Sequence, residues 1–93
     1  MQKIDLKGKT VLVTGAAGFI GSNLVMELFK TIEDINIIGI DNMNDYYDVA
    51  IKEWRLLQIE KMNGQWIFIK GDISDKAVVN EIFSKYKPAV VVN

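Results

Sequence analysis

Three glycines, Gly15, Gly18 and Gly21, follow the apolar run Val11-Leu12-Val13-Thr14 in the spacing Gly-x-x-Gly-x-x-Gly and lead into a stretch of helical periodicity. Residues of this kind, so placed, can hold an anion. A strand that bends sharply into a helix needs a residue free of the Cβ penalty, and a phosphate reaches the backbone only where no side chain intervenes. Gly15 and Gly18 meet those two needs. Gly21 lies one turn into the helix, where a missing side chain lets helix and strand pack closely. The first-turn amides, those of Phe19 and Ile20 among them, are unpaired within the helix and stand at the positive end of its dipole. The pattern reads as a site for the pyrophosphate of a dinucleotide, although a glycine-rich turn of this kind can also be purely structural.

An acidic residue about 20 positions beyond such glycines, at the end of the second strand, accepts hydrogen bonds from the adenosine ribose hydroxyls. Asp41 stands 20 residues after Gly21 and closes the apolar run Ile35-Asn36-Ile37-Ile38-Gly39-Ile40. Its carboxylate would repel a 2′-phosphate, and Asn42 to Ile51 contain no Lys or Arg to neutralise one. NAD is therefore expected rather than NADP. The other reading of Asp41 is an ordinary turn residue at a strand end.

The elements that must position these residues alternate along the chain. Strand one is expected over about Thr10 to Thr14, and helix one over Phe19 to Thr31 with Ile20, Leu24, Val25, Leu28, Phe29 and Ile32 on its buried face. Strand two covers about Asn36 to Ile40. Helix two runs from Val49 to Met62, with Asp48 as N-cap and Gly64 near its stop. Strand three is Trp66 to Ile69. Helix three opens at Ser74 or Asp75, buries Val78, Val79, Ile82, Phe83 and Tyr86, and ends before Pro88, the single proline. Strand four is Ala89 to Val92. Such alternation predicts an α/β, Rossmann-type parallel sheet of four strands in the order 3-2-1-4 with three helices. No internal repeat or low-complexity tract interrupts it.

Composition bounds the possibilities. With 93 residues the chain is one domain or less, able to bury roughly 60 to 70% of its unfolded surface. Eleven basic residues nearly cancel 12 acidic ones, so nothing in the charge points to nucleic acid or to an anionic membrane. Cysteine and histidine are absent, which excludes disulfides, ordinary zinc sites and the usual hydrolase triads. No apolar stretch approaches 18 residues and Met1 to Gly8 carry no secretory pattern, so a soluble, cytoplasmic protein is expected. Asp45 and Asp48 could meet a hard cation, but Asp-rich loops more often cap and solvate, and no metal is expected.

Gly71-Asp72-Ile73 falls just past strand three, at the carboxyl edge of the sheet. Asp72 could accept from the exocyclic amine of an adenine while Ile73 covers a ring face. On local chemistry alone, a turn ahead of the helix cap explains the same residues equally well.

Thr14-Gly15-Ala16-Ala17-Gly18-Phe19-Ile20-Gly21, Asp41-Asn42 and Gly71-Asp72-Ile73 resemble, in order and spacing, the NAD-binding half of the extended short-chain dehydrogenases, the sugar-nucleotide epimerases and dehydratases. The resemblance covers nearly the whole chain. The segment Asp41-Asn42-Met43-Asn44-Asp45-Tyr46-Tyr47-Asp48-Val49, followed by Lys52-Glu53 and Arg55-Leu56, looks like the stretch after strand two in UDP-glucuronate 4-epimerases; it also reads as a solvated loop and the exposed face of a helix. Ala89 departs from the acidic residue the resemblance puts before strand four. The cofactor contacts that follow are Gly15, Gly18, Phe19, Ile20, Gly21, Asp41, Asn42, Asn44, Asp72 and Ile73.

The resemblance implies hydride passed transiently between the sugar C4 and NAD, with a Tyr in a Tyr-x-x-x-Lys pair taking the hydroxyl proton. No catalytic residue of that kind is in the chain. Four places beyond Tyr46, Tyr47 and Tyr86 stand Ala50, Ile51 and Val90. The chain is thus expected to be the amino-terminal part of an enzyme whose full length takes a nucleotide-sugar and forms a homo-oligomer. The edge Val90-Val91-Val92 is expected to pair with another copy. A related dehydratase or reductase, and a non-catalytic dinucleotide-sensing module, stand as the alternatives.

Overall fold

β-branched runs and amphipathic runs alternate, and the computed structural model, which describes residues 6–44 and 49–93, turns them into elements in strict βα order. They are β1 (Thr10–Thr14), α1 (Phe19–Thr31), β2 (Asn36–Asp41), α2 (Val49–Glu60), β3 (Gln65–Lys70), α3 (Lys76–Tyr86) and β4 (Val90–Val92). All strand pairs are parallel and the sheet order is β3-β2-β1-β4. The register sets Thr14 beside Ile40 and Asp41 beside Lys70, so the carboxyl ends of β1, β2 and β3 finish along one edge.

Because side chains alternate across a strand, the two faces of the sheet hold separate cores. Val11, Val13 and Ile37 pack with Val25, Ile35 and Ile59 beneath α1 and α2. Leu12, Ile38 and Ile40 pack with Ile82 of α3. A strand buried on both faces needs apolar residues at every position, which is why β2 reads as a continuous rather than alternating run. Each fully buried Ile contributes about 1.5–3 kcal/mol of transfer free energy.

Several expectations are corrected at the edges of elements. Ile20 is 81% exposed, while the buried residues of α1 are Ser22 and Val25. The first turn of α1 overhangs the end of the sheet, so position 20 points away from the core and Ser22, with its hydroxyl donating to Phe19 O at 3.3 Å, faces it. Phe83 is exposed as well. α3 alone covers its face of the sheet, through Val78, Ile82 and Tyr86, and no second described helix closes over its flank. α2 ends at Glu60, short of Met62. The left-handed residue behind it is Asn63 (φ 56°) rather than Gly64. Gly64 answers to packing, since a Cβ there would sit 2.5 Å from the Phe29 ring. β2 and β3 extend to Asp41 and Lys70, while β4 begins at Val90, with Ala89 N donating to Thr10 O at 2.8 Å. The expected Asp48 cap lies outside the described residues. At α3, Asp75 is the N-cap, accepting from Ala77 N and Val78 N.

Candidate functional site

The glycine turn forms the floor of the site. Gly15 adopts a left-handed conformation (φ 63°), and the chain then doubles back, with Gly18 N donating to Gly15 O at 3.0 Å. Gly18 is the extended N-cap of α1 and has no side chain to cap the helix; the first turn holds no acidic residue. The positive end of α1 therefore carries no capping or acidic side chain of its own first turn. A Cβ on Gly18 would lie 3.2 Å from Gly15 O, and one on Gly21 only 2.2 Å from it. The helix therefore seats directly on the turn only because both positions are bare.

Asp41 closes β2 and is buried. Its Oδ2 accepts from Ala17 N at 3.1 Å, and its Oδ1 accepts from Met43 N at 2.8 Å and from Lys52 Nζ at 3.1 Å. One carboxylate thus ties the glycine turn, its own loop and α2 together. The pair is shielded: side-chain exposure is 14% for Lys52 and 4% for Asp41. Removing one member of a buried pair typically costs about 3–5 kcal/mol, because the other charge is left uncompensated.

The loop after β2 turns through Met43 (φ 58°), with Asn42 Oδ1 accepting from Asn44 N at 2.9 Å. Asn44 thus serves the loop with its backbone, and Asn42 borders the cleft. The remainder of that segment, Asp45 to Asp48, lies outside the described residues. Across the cleft, Gly71 N donates to Asp41 O at 3.1 Å, which fixes the β3–α3 connection against the end of β2. Asp72 is exposed and its Oδ1 accepts from Ser74 N at 2.9 Å. The Ser74 backbone N–H, and after it the Ser74 hydroxyl, hold the Asp72 carboxyl below its ordinary range.

These contacts bring the separate sequence signals to one place. Thr14, Gly15, Asp41, Asn42, Lys52, Gly71, Asp72 and Ile73 line a cleft of about 230 Å³. A second, apolar cleft opens on the β4 side of the same turn, lined by Gly18, Phe19, Ile20, Gly21, Leu24 and Val92. Thr14 and Gly15 belong to both, so the clefts meet at the glycine turn. Thr14 Oγ1 has one proton to donate, with Asn93 Oδ1 at 3.0 Å and Val92 O at 3.3 Å both in reach, and so ties the ends of β1 and β4 together.

Two cations from α2 were without an assigned role in the sequence. Lys52 directly follows the run Asn42 to Ile51 that carries no cation, and the fold returns it to 3.1 Å from Asp41, so the carboxylate does have a basic neighbour. Arg55 donates from Nη1 to Ala17 O at 3.3 Å, and its Cζ lies 5.9 Å from the centroid of the Phe19 ring. Spacing would have found both had α2 been laid against the turn, since positions 52 and 55 share a helix face. Among the described residues no group of three metal-binding side chains occurs, and no helix is long and apolar enough to cross a membrane.

The GDP-mannose 4,6 dehydratase family model matches residues 12–93. UDP-glucuronate 4-epimerase 6 of Arabidopsis thaliana is 41% identical over 76 residues, which are 82% of this chain and 16% of that protein. Among solved structures, UDP-glucuronic acid 4-epimerase from Bacillus cereus in complex with NAD superposes with a TM-score of 0.73 at 32% identity, covering 88% of this chain and 25% of that one. dTDP-glucose 4,6-dehydratase from Bacillus anthracis in complex with NAD superposes with a TM-score of 0.78 at 29% identity, over 91% and 26%. The chain spans about a fifth of the length of the curated relatives it matches.

Proposed function

We propose that this chain, which belongs to the GDP-mannose 4,6 dehydratase family of NAD-dependent sugar-nucleotide epimerases and dehydratases, binds NAD as the cofactor-holding portion of an enzyme acting on a nucleotide-sugar. The residues fit that group. The positive end of α1 stands uncapped over a turn where side chains at positions 18 and 21 would crowd Gly15 O. The observation that carries the reading is the placement of Asp41: buried, bonded to Ala17 N within the glycine turn, and lining one cleft with Asp72 and Ile73.

In this reading the first-turn amides of α1, at Phe19, Ile20 and Gly21, hold the pyrophosphate. Asp41 accepts from the adenosine ribose, with Asn42 beside it; Asp72 accepts from the adenine amine and Ile73 covers the ring. The apolar cleft toward β4 faces the rest of the dinucleotide. Bound NAD supplies a reversible hydride acceptor. The residues of this chain orient it and carry no proton transfer of their own.

The finer assignment is UDP-glucuronate 4-epimerase activity of the whole protein, with hydride moved at sugar C4. It is supported by the identity to the Arabidopsis and Bacillus cereus epimerases. A dehydratase is the second reading, favoured by the higher TM-score of the Bacillus anthracis enzyme. Titration calorimetry with NAD tests the binding claim: the chain gives a saturable isotherm and Asp41→Ala weakens it markedly. An unchanged dissociation constant in that variant would sink the assignment.

A further inference from the structure

Lys52 is the charged group of the cleft that the glycine, Asp41 and Asp72 pattern leaves unexplained. Its Nζ lies 3.1 Å from Asp41 Oδ1, its side chain is 14% exposed, and it lines the same cleft. A carboxylate offers about four acceptor positions. Met43 N and Lys52 Nζ occupy Oδ1, and Ala17 N occupies one position on Oδ2. A single acceptor position remains, whereas a ribose diol presents two hydroxyls. The Lys52 ammonium has three N–H donors, and Asp41 takes one of them.

We infer that Asp41 and Lys52 read the adenosine ribose as a pair: Asp41 Oδ2 accepts from one hydroxyl, and Lys52 Nζ donates to the oxygen of the other. This rests on the dinucleotide reading above. It makes Lys52 a specificity-determining residue. With both charges present the ribose edge is close to neutral, and a 2′-phosphate meets the carboxylate as soon as it meets the ammonium. With the carboxylate neutralised, the shielded ammonium is left to attract that phosphate. With the lysine neutralised, the carboxylate repels it unopposed. A pair that only braces α2 against β2 would change stability and leave the choice of ligand untouched.

The test uses ADP-ribose and 2′-phospho-ADP-ribose, titrated calorimetrically into the chain and into Asp41→Asn, Lys52→Met and the double variant. The ratio of the two dissociation constants is the readout. Asp41→Asn shifts it toward the 2′-phosphate by about tenfold or more, a shift that shrinks with added salt, and the double variant cancels it. Lys52→Met shifts it the other way. Should Lys52→Met fail to fold, Lys52→Gln, which removes the charge and keeps a polar side chain, replaces it in the single and the double variant. A ratio that does not move in Asp41→Asn, or moves equally with and without Lys52, overturns the inference while leaving the dinucleotide reading in place. Absence of ADP-ribose binding to the unaltered chain overturns both.

Discussion

Gly21 faces Gly15 across the first turn of α1 so closely that a methyl group at position 21 would lie 2.2 Å from the Gly15 carbonyl oxygen. That oxygen also accepts from Gly18 N, so it cannot swing aside without opening the turn. Gly21→Ala must therefore lift the helix off the strand end. We expect it to lower stability by about 1–3 kcal/mol, the usual cost of overpacking, and to abolish measurable NAD binding. Chemical denaturation and calorimetry on the same preparation check both parts.

Gly15 fails for a different reason. Nothing lies within 4 Å of a Cβ built there, but its φ of 63° is left-handed. Gly15→Ala should cost about 1–2 kcal/mol through backbone strain alone, while keeping a cleft that still binds ADP-ribose. Equal losses of binding at positions 15 and 21 would contradict this separation of roles.

Much of this architecture was legible in the residues. β1 and α1 fall where the apolar run and the helical periodicity place them, because the glycines punctuate both ends of the turn. The convergence of Gly15, Asp41 and Asp72 follows from parallel strands whose carboxyl ends share an edge. Lys52 was not legible, since its partner stands 11 residues earlier and meets it only when α2 packs against β2. The burial of Ser22 in place of Ile20 depends on where α1 crosses the sheet. Nothing in the apolar run of β2 marks Gly39, yet a Cβ there would meet the Trp66 ring at 2.2 Å. That contact lies across the sheet, out of reach of local pattern.

Asp72 should titrate below its ordinary value of 3.8, because the Ser74 N–H and hydroxyl favour the anion. A carboxyl lowered in the folded state contributes above its unfolded pKa and loses that contribution as pH falls through the folded one. The turn at Asp72 is therefore intact at neutral pH and loosens only below the ordinary carboxylate range. Ser74→Ala removes the lesser cause and should raise the Asp72 pKa part of the way, measured by carbon-detected NMR titration. A pKa at or above 3.8 in the unaltered chain would contradict the geometry.

β4 pairs only with β1 among the described strands, and Val91 on it is exposed. An apolar unpaired edge is a template for another strand. We expect concentration-dependent self-association by light scattering, reduced in Val91→Lys. A monomer at high concentration would count heavily against it.

In the proposed reading the contacts to the adenosine end come from residues on this chain, and the apolar cleft faces the other end. ADP-ribose and NAD should therefore bind with similar, weak affinity. A large preference for intact NAD would show that the β4-side cleft contributes more than its few apolar groups suggest.

Amide chemical-shift mapping during titration with ADP-ribose tests the central claim most directly. Saturable shifts concentrated at residues 15–21, 41–44 and 71–74 are expected. Shifts that never saturate, or that gather instead around Trp66 and Asn36 at the opposite edge of the sheet, would contradict it.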